Sequence, residues 1–165
     1  MDKNTMLDEL VLRFDTDNYM DGEQSLWQHK SDVDALTPVY AKLNRRFPPL
    51  YEQLLLNYRW TCGDTDAVCF WANPPGPDLV AFCESYFRDK ALVQFCLDNG
   101  YLPFGGAANG LYDPVCFDCN RGSSTDRPVV QLCHESILIR HRIKVVRNLF
   151  SSFESLVLSV ISDDD

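Results

Sequence analysis

Residues 101–133 read YLPFGGAANGLYDPVCFDCNRGSSTDRPVVQLC, and three short runs within them decide the fold. The runs at 101–104, 115–118 and 129–133 are rich in β-branched and aromatic side chains and are separated by glycine, asparagine, aspartate and proline. Such side chains suit a pleated, half-buried surface, and turn residues between them fold the chain back on itself. The stretch predicts an antiparallel sheet, and the apolar run at 137–143 supplies a further strand.

Helical periodicity surrounds the sheet. Met6, Leu7, Leu10, Val11 and Phe14 share one helical face, so a short helix over 4–14 is expected, followed by a polar connector over 15–35. Thr37-Pro38 is an N-cap with proline at the first helical position, opening a helix towards Phe47. Pro48 and Pro49 restart the chain, and Leu50, Tyr51, Leu54, Leu55 and Tyr58 continue on a second helix, making an elbow at Phe47-Pro-Pro. Val68-Cys-Phe-Trp71 predicts a strand ended by Asn73-Pro-Pro-Gly-Pro77. Two helical sets follow, Leu79 to Phe87 and Leu92 to Cys96, the second closed by Asn99-Gly100. Ser151-Ser-Phe-Glu154 is a capping box opening a last helix, with Phe153, Leu156, Val157 and Val160 on its apolar side. Helices, strand, helices, strands and helix in that order predict an α+β fold with a central antiparallel sheet of about four to six strands and helices packed around it.

The 165 residues suit one domain, 1–165, with an acidic N-terminal helix and connector at 1–34, a core at 36–160 and an acidic tail at 162–165. Hydrophobic residues make up 45%, enough to bury a core. The net charge of −9 argues against a nucleic-acid partner held through phosphates, and residues 1–34 carry 9 acidic against 3 basic side chains. A solvated face accounts for that excess, and a basic protein partner fits it too. No apolar run approaches a membrane span, and no export or transit signal is read at the N-terminus. Seven cysteines, an odd number set in apolar segments, read as buried thiols of a reducing cytoplasm.

The motifs that resemble catalytic or metal sites fail on inspection. Gly105-Gly-Ala-Ala-Asn-Gly110 has the outer spacing of a phosphate loop, but Leu111-Tyr112 stands where lysine and serine or threonine are required. Cys116, Cys119, Cys133 and His134 could be drawn as zinc ligands, but neighbours on a strand point to opposite faces and a second spaced pair is missing. Asp17, Tyr19, Asp21 and Gly22 imitate a calcium loop with tyrosine at a ligand position and Gln28 in place of the bidentate glutamate. With no catalytic constellation in the sequence, neither an enzyme nor a cofactor or metal is expected. Trp71 reads as core. Asp113 and Asp118 read first as turn and strand-end residues accepting backbone N–H bonds, and the functional alternative places Asn109, Tyr112 and Asp113 on an exposed loop offered to a protein partner.

In order, the segments resemble the SUKH superfamily. The matching residues are Leu43-x-x-Arg46-Phe47-Pro48-x-x-Tyr51-x-x-Leu54-Leu55-x-x-Tyr58, then Asn73-Pro, Gly100-Tyr-Leu-Pro-Phe-Gly105, Asn109-Gly-Leu-Tyr-Asp-Pro-Val-Cys-Phe-Asp118, Pro128-Val-Val-Gln-Leu-Cys-His-Glu135 and Ser152-Phe153. Cys133 departs from the aspartate often found before the His-Glu pair, and the loop after Gly105 is alanine-rich. The resemblance implies an α+β fold and a non-catalytic role. It suggests a cytoplasmic immunity protein, monomeric or weakly homodimeric, that binds and neutralises a cognate bacterial toxin, a basic one suiting the charge. The alternative it implies is a regulatory or scaffold protein with an endogenous partner.

Overall fold

The computed structural model describes residues 1–14, 23–109, 112–123 and 125–162. The calcium-like loop falls largely outside them, as do the acidic tail from Asp163 and residues 110 and 111 of the glycine loop. The fold is α+β. Helix α1 (Lys3–Leu12) leads to strand β1 (Leu26–Gln28), a 3-10 turn at Val33–Leu36, and helices α2 (Thr37–Tyr40) and α3 (Pro49–Asn57). Strands β2 (Tyr58–Trp60), β3 (Gly63–Asp64) and β4 (Val68–Phe70) follow, then helices α4 (Val80–Tyr86) and α5 (Lys90–Asp98). The chain ends with β5 (Tyr101–Ala107), β6 (Pro114–Asp118), β7 (Val129–Leu132), α6 (His134–Arg140), β8 (Val145–Phe150) and α7 (Phe153–Ser162). The main sheet is a six-stranded antiparallel meander from β3 to β8 in sequence order, and β1 pairs with β2 beside it.

Strand periodicity divides the core in two. On β6 and β7, Val115, Phe117 and Val129 join a large cluster with α1, α3, α4 and α7, whereas Cys116, Val130 and Leu132 join a small one with Leu92, Cys96 and Ile137. Both faces are covered, so these strands are buried at every residue. Aromatic rings fill the larger cluster: Phe104 stacks on Phe117 with centroids 4.2 Å apart, and Phe153 and Tyr51 meet the same rings edge-on. Such geometries add about 0.5–1.5 kcal/mol per pair to the area buried.

The Phe47-Pro-Pro elbow forms as expected, with Pro48 at the N-cap of α3 and Phe47 buried against Tyr51 at 4.7 Å. The helix before it is shorter than expected: α2 ends at Tyr40. The Tyr40 hydroxyl donates to Glu52 at 2.6 Å and accepts from the Phe47 amide at 3.0 Å, so the chain between them folds back. Burial and the Glu52 carboxylate both raise the pKa of that hydroxyl. At the other end of α3, the Leu55 carbonyl accepts from Arg59 Nη1 at 2.7 Å and from Asn73 Nδ2 at 3.0 Å, two buried donors that close the helix. Gly100 has φ of +83°, the left-handed conformation that ends α5, and the Asn120 side chain lies where a Cβ would stand.

Three expectations need correction. Residues 137–143 do not form a strand: 137–140 belong to α6, and the strand lies further on as β8. Cys133 and His134 do not alternate on a strand, because Cys133 is the N-cap of α6 and His134 its first residue. The connector at 15–35 contains β1, which pairs with β2 just after α3.

Candidate functional site

The three residues singled out in the sequence lie between β5 and β6, where the Ala107 amide donates to the Asp113 carbonyl at 3.0 Å and closes the loop. They do not act as one group. Asp113 turns inward: one carboxylate oxygen accepts from Gln131 Nε2 at 2.8 Å and the other from the backbone N–H of His134 at 2.9 Å. It supplies a partner to the buried Gln131 amide and to an otherwise orphaned donor at the start of α6. Asp118 does similar work at the far end of β6, accepting from the Asn120 amide at 3.0 Å and from Arg121 Nε at 2.7 Å. Tyr112 is 84% exposed, its ring centroid 5.8 Å from that of His134. Asn109 is exposed and lines a cleft of about 270 Å³ with Asp66, Gln131, Arg147 and Leu149.

The strongest surface feature continues from this loop into residues that sequence reasoning missed. Ten large hydrophobic residues stand exposed among the described residues, and five of them are Tyr112, Leu138, Ile139, Val145 and Val146. Ile139 is 72% exposed on α6, and Val145 and Val146 are 38% and 43% exposed on β8. Arg140, Arg142, Lys144 and Arg147 stand among them, with Glu135 the only carboxylate between residues 134 and 150, although the whole chain is acidic. The run Arg140-His-Arg-Ile-Lys-Val-Val-Arg147 was the available signal, hidden by a net charge averaged over the chain.

Local chemistry explains how α6 and β8 are set. The Cys133 amide donates to the Lys144 carbonyl at 2.9 Å and the Arg142 amide to Ser136 at 3.1 Å, while His141, with φ of +51°, reverses the chain between helix and strand. The Ser136 hydroxyl and the amides opening α6 hold the Cys133 thiol below its ordinary pKa. Among the described residues β8 pairs only with β7 and ends the sheet, with register shifts at Val129/Val130 and Gln131/Leu132 that place extra residues on its side.

Elsewhere, Trp71 is half-buried and borders a cleft of about 340 Å³ with Tyr86, Arg88 and Val93, its ring 5.4 Å from Tyr86, while Trp60 is wholly buried. Among the described residues, no three His, Cys, Asp or Glu side chains converge to hold a metal ion. No helix among them is long and apolar enough to cross a membrane. In comparisons with protein-family models, curated proteins and solved structures, nothing matches this chain.

Proposed function

We propose that this chain is a non-catalytic protein-binding domain, and that it serves as a cytoplasmic immunity protein neutralising a cognate bacterial toxin by covering it. The observation that carries the binding reading is that five of the ten large hydrophobic residues exposed among the described residues, Tyr112, Leu138, Ile139, Val145 and Val146, stand on the β5–β6 loop, α6 and β8, and that the α6–β8 segment also carries four cationic side chains. Exposed apolar groups rimmed by charge mark surfaces that lose water against a partner. The resemblance of the chain to the SUKH superfamily supports the immunity role. Tyr112 is the natural anchor, a large amphipathic ring held out beside His134.

The test is retention of partners from the native lysate by the purified chain, followed by assay of what is retained. A retained protein that arrests growth when expressed alone, and stops doing so when this chain is co-expressed, is the expected result. A housekeeping protein retained instead moves the assignment to a regulatory scaffold. Turnover of a small substrate by the chain alone would sink both readings.

A further inference from the structure

The sheet leaves one long edge open. β8 has six residues and one neighbour, so the backbone groups on its outer side have no strand partner among the described residues. Its residues from Val145 to Asn148 are exposed, and Leu138 and Ile139 stand exposed on the helix that leads into it. Arg147 lies in the middle of the strand, Arg142 and Lys144 just before it, and Arg121 donates to Asn148 Oδ1 at 2.8 Å. An open edge offers main-chain hydrogen bonds to any extended segment, and the side chains beside it decide which segment is accepted.

We propose that the outer edge of β8 accepts an extended, acidic segment of a partner protein as a seventh strand. The inference rests on the protein-binding reading above and names the partner chemistry: a short strand with carboxylates set against Lys144 and Arg147, and apolar side chains packed on Val145 and Val146. Opposite charges facing each other across a strand pair favour pairing, and like charges oppose it. The same cations therefore reject a second copy of β8, which would set Lys144 and Arg147 against their own kind. The two register shifts bend the strand, which suits one short segment rather than an open-ended stack of sheets. An anionic membrane is the poorer occupant: α6 has only seven residues, and lipid offers nothing to the unpaired amides. The basic edge reverses the charge expected of the partner from composition alone.

The probes are ten-residue peptides flanked by glycine and serine: one alternating valine with glutamate, one alternating valine with lysine, and the acidic one with proline at alternate positions. Binding is followed by fluorescence anisotropy and backbone amide exchange. The acidic peptide should bind at least about tenfold tighter than the basic one, weaken as salt rises, and slow exchange at residues 145–149. The proline version, which lacks half the donors, should lose binding. Lys144→Glu with Arg147→Glu, both exposed, should invert the preference while leaving thermal unfolding unchanged.

Equal binding of acidic and basic peptides, or slowed exchange elsewhere, overturns the proposal. Attachment to phosphatidylglycerol vesicles without peptide binding overturns it in favour of a membrane. Concentration-dependent dimers with a protected β8 overturn it in favour of a second copy. If the charge-reversed chain still retains the lysate partner, the edge is wrong and the binding reading stands. If the acidic peptide binds at β8 but the lysate yields no partner, the edge stands and the immunity reading falls.

Discussion

The two edges of the main sheet are finished by opposite means. β3 is two residues long and sealed by packing: a Cβ on Gly63 would lie 2.8 Å from both the Phe70 Cβ and the Trp60 indole nitrogen. The turn after it is tied by Thr65, whose hydroxyl donates to the Val68 carbonyl at 2.7 Å and accepts from the Val68 amide at 3.0 Å. β8 is six residues long, four of them exposed, with Lys144 just before it, Arg147 within it and two register shifts in its pairing. Short edges need no further defence, whereas long ones require cations, bulges or a cover. One edge is therefore part of the core, and the other is a surface.

The sharpest way to break that contrast is substitution at matched positions. Gly63→Val should cost about 2–3 kcal/mol in denaturant unfolding, because the new side chain must displace a buried phenylalanine and tryptophan. Val146→Thr on β8 should cost less than about 0.5 kcal/mol, as exposed changes do. Equal losses at the two positions would mean that β8 is packed after all.

Asp113→Ala comes next, with an expected loss of about 1–2 kcal/mol from an uncapped helix start and an unpartnered buried Gln131. The loss should be local. Amide exchange should quicken in α6 and β8, and β3 and β4 should keep their native rates. His141→Gly should act in the opposite direction, stabilising by about 0.5–1 kcal/mol, since His141 holds φ of +51° where glycine carries no Cβ penalty. A neutral or destabilising result in thermal unfolding would show that the imidazole makes a compensating interaction at the α6–β8 turn.

The same contrast explains what could be read in advance. β5, β6 and β7 announced themselves because runs buried on both faces are apolar at nearly every residue, α3 and α5 did so through proline and Asn99-Gly100, and α7 through a serine cap read one residue early, since Ser152 rather than Ser151 accepts from the backbone, at the Ser155 amide. β8 did not, because an exposed edge carries lysine, arginine and asparagine. The apolar run before it passed for a strand, although Ile137 buries itself with Leu92 and Cys96 as part of a helix whose first amide is fixed by Asp113, a contact between residues 21 apart. Tertiary capping of that kind leaves no local pattern. At the candidate site, Asp113 does accept a backbone N–H, but from His134 across the fold rather than from its own turn, and Tyr112 is exposed. The basic edge required knowing which residues face water.

Two cysteines carry the contrast into pH dependence. Cys69, on the strand beside β3, is pushed from 9.0 to about 11 by desolvation and then by the neighbouring Asp64 carboxylate, whereas Cys133, where the chain leaves β7 for α6, is lowered by the Ser136 hydroxyl and the helix amides. A raised folded pKa favours the protonated thiol, so the Cys69 contribution to stability is complete below the unfolded value near 9 and disappears as pH climbs towards 11. A lowered folded pKa has the opposite sign, so the Cys133 contribution is present above the unfolded value and is lost as pH falls through the folded one. Between pH 8 and 11 the β4 end should therefore weaken while the start of α6 does not, and Cys69→Ala should flatten the alkaline fall in stability where Cys133→Ala should not flatten it. Iodoacetamide at pH 7.5 should label Cys133 well before Cys69, since the thiolate is the reacting form. Equal labelling rates at the two thiols would remove the electrostatic difference between the edges and leave only the difference in packing.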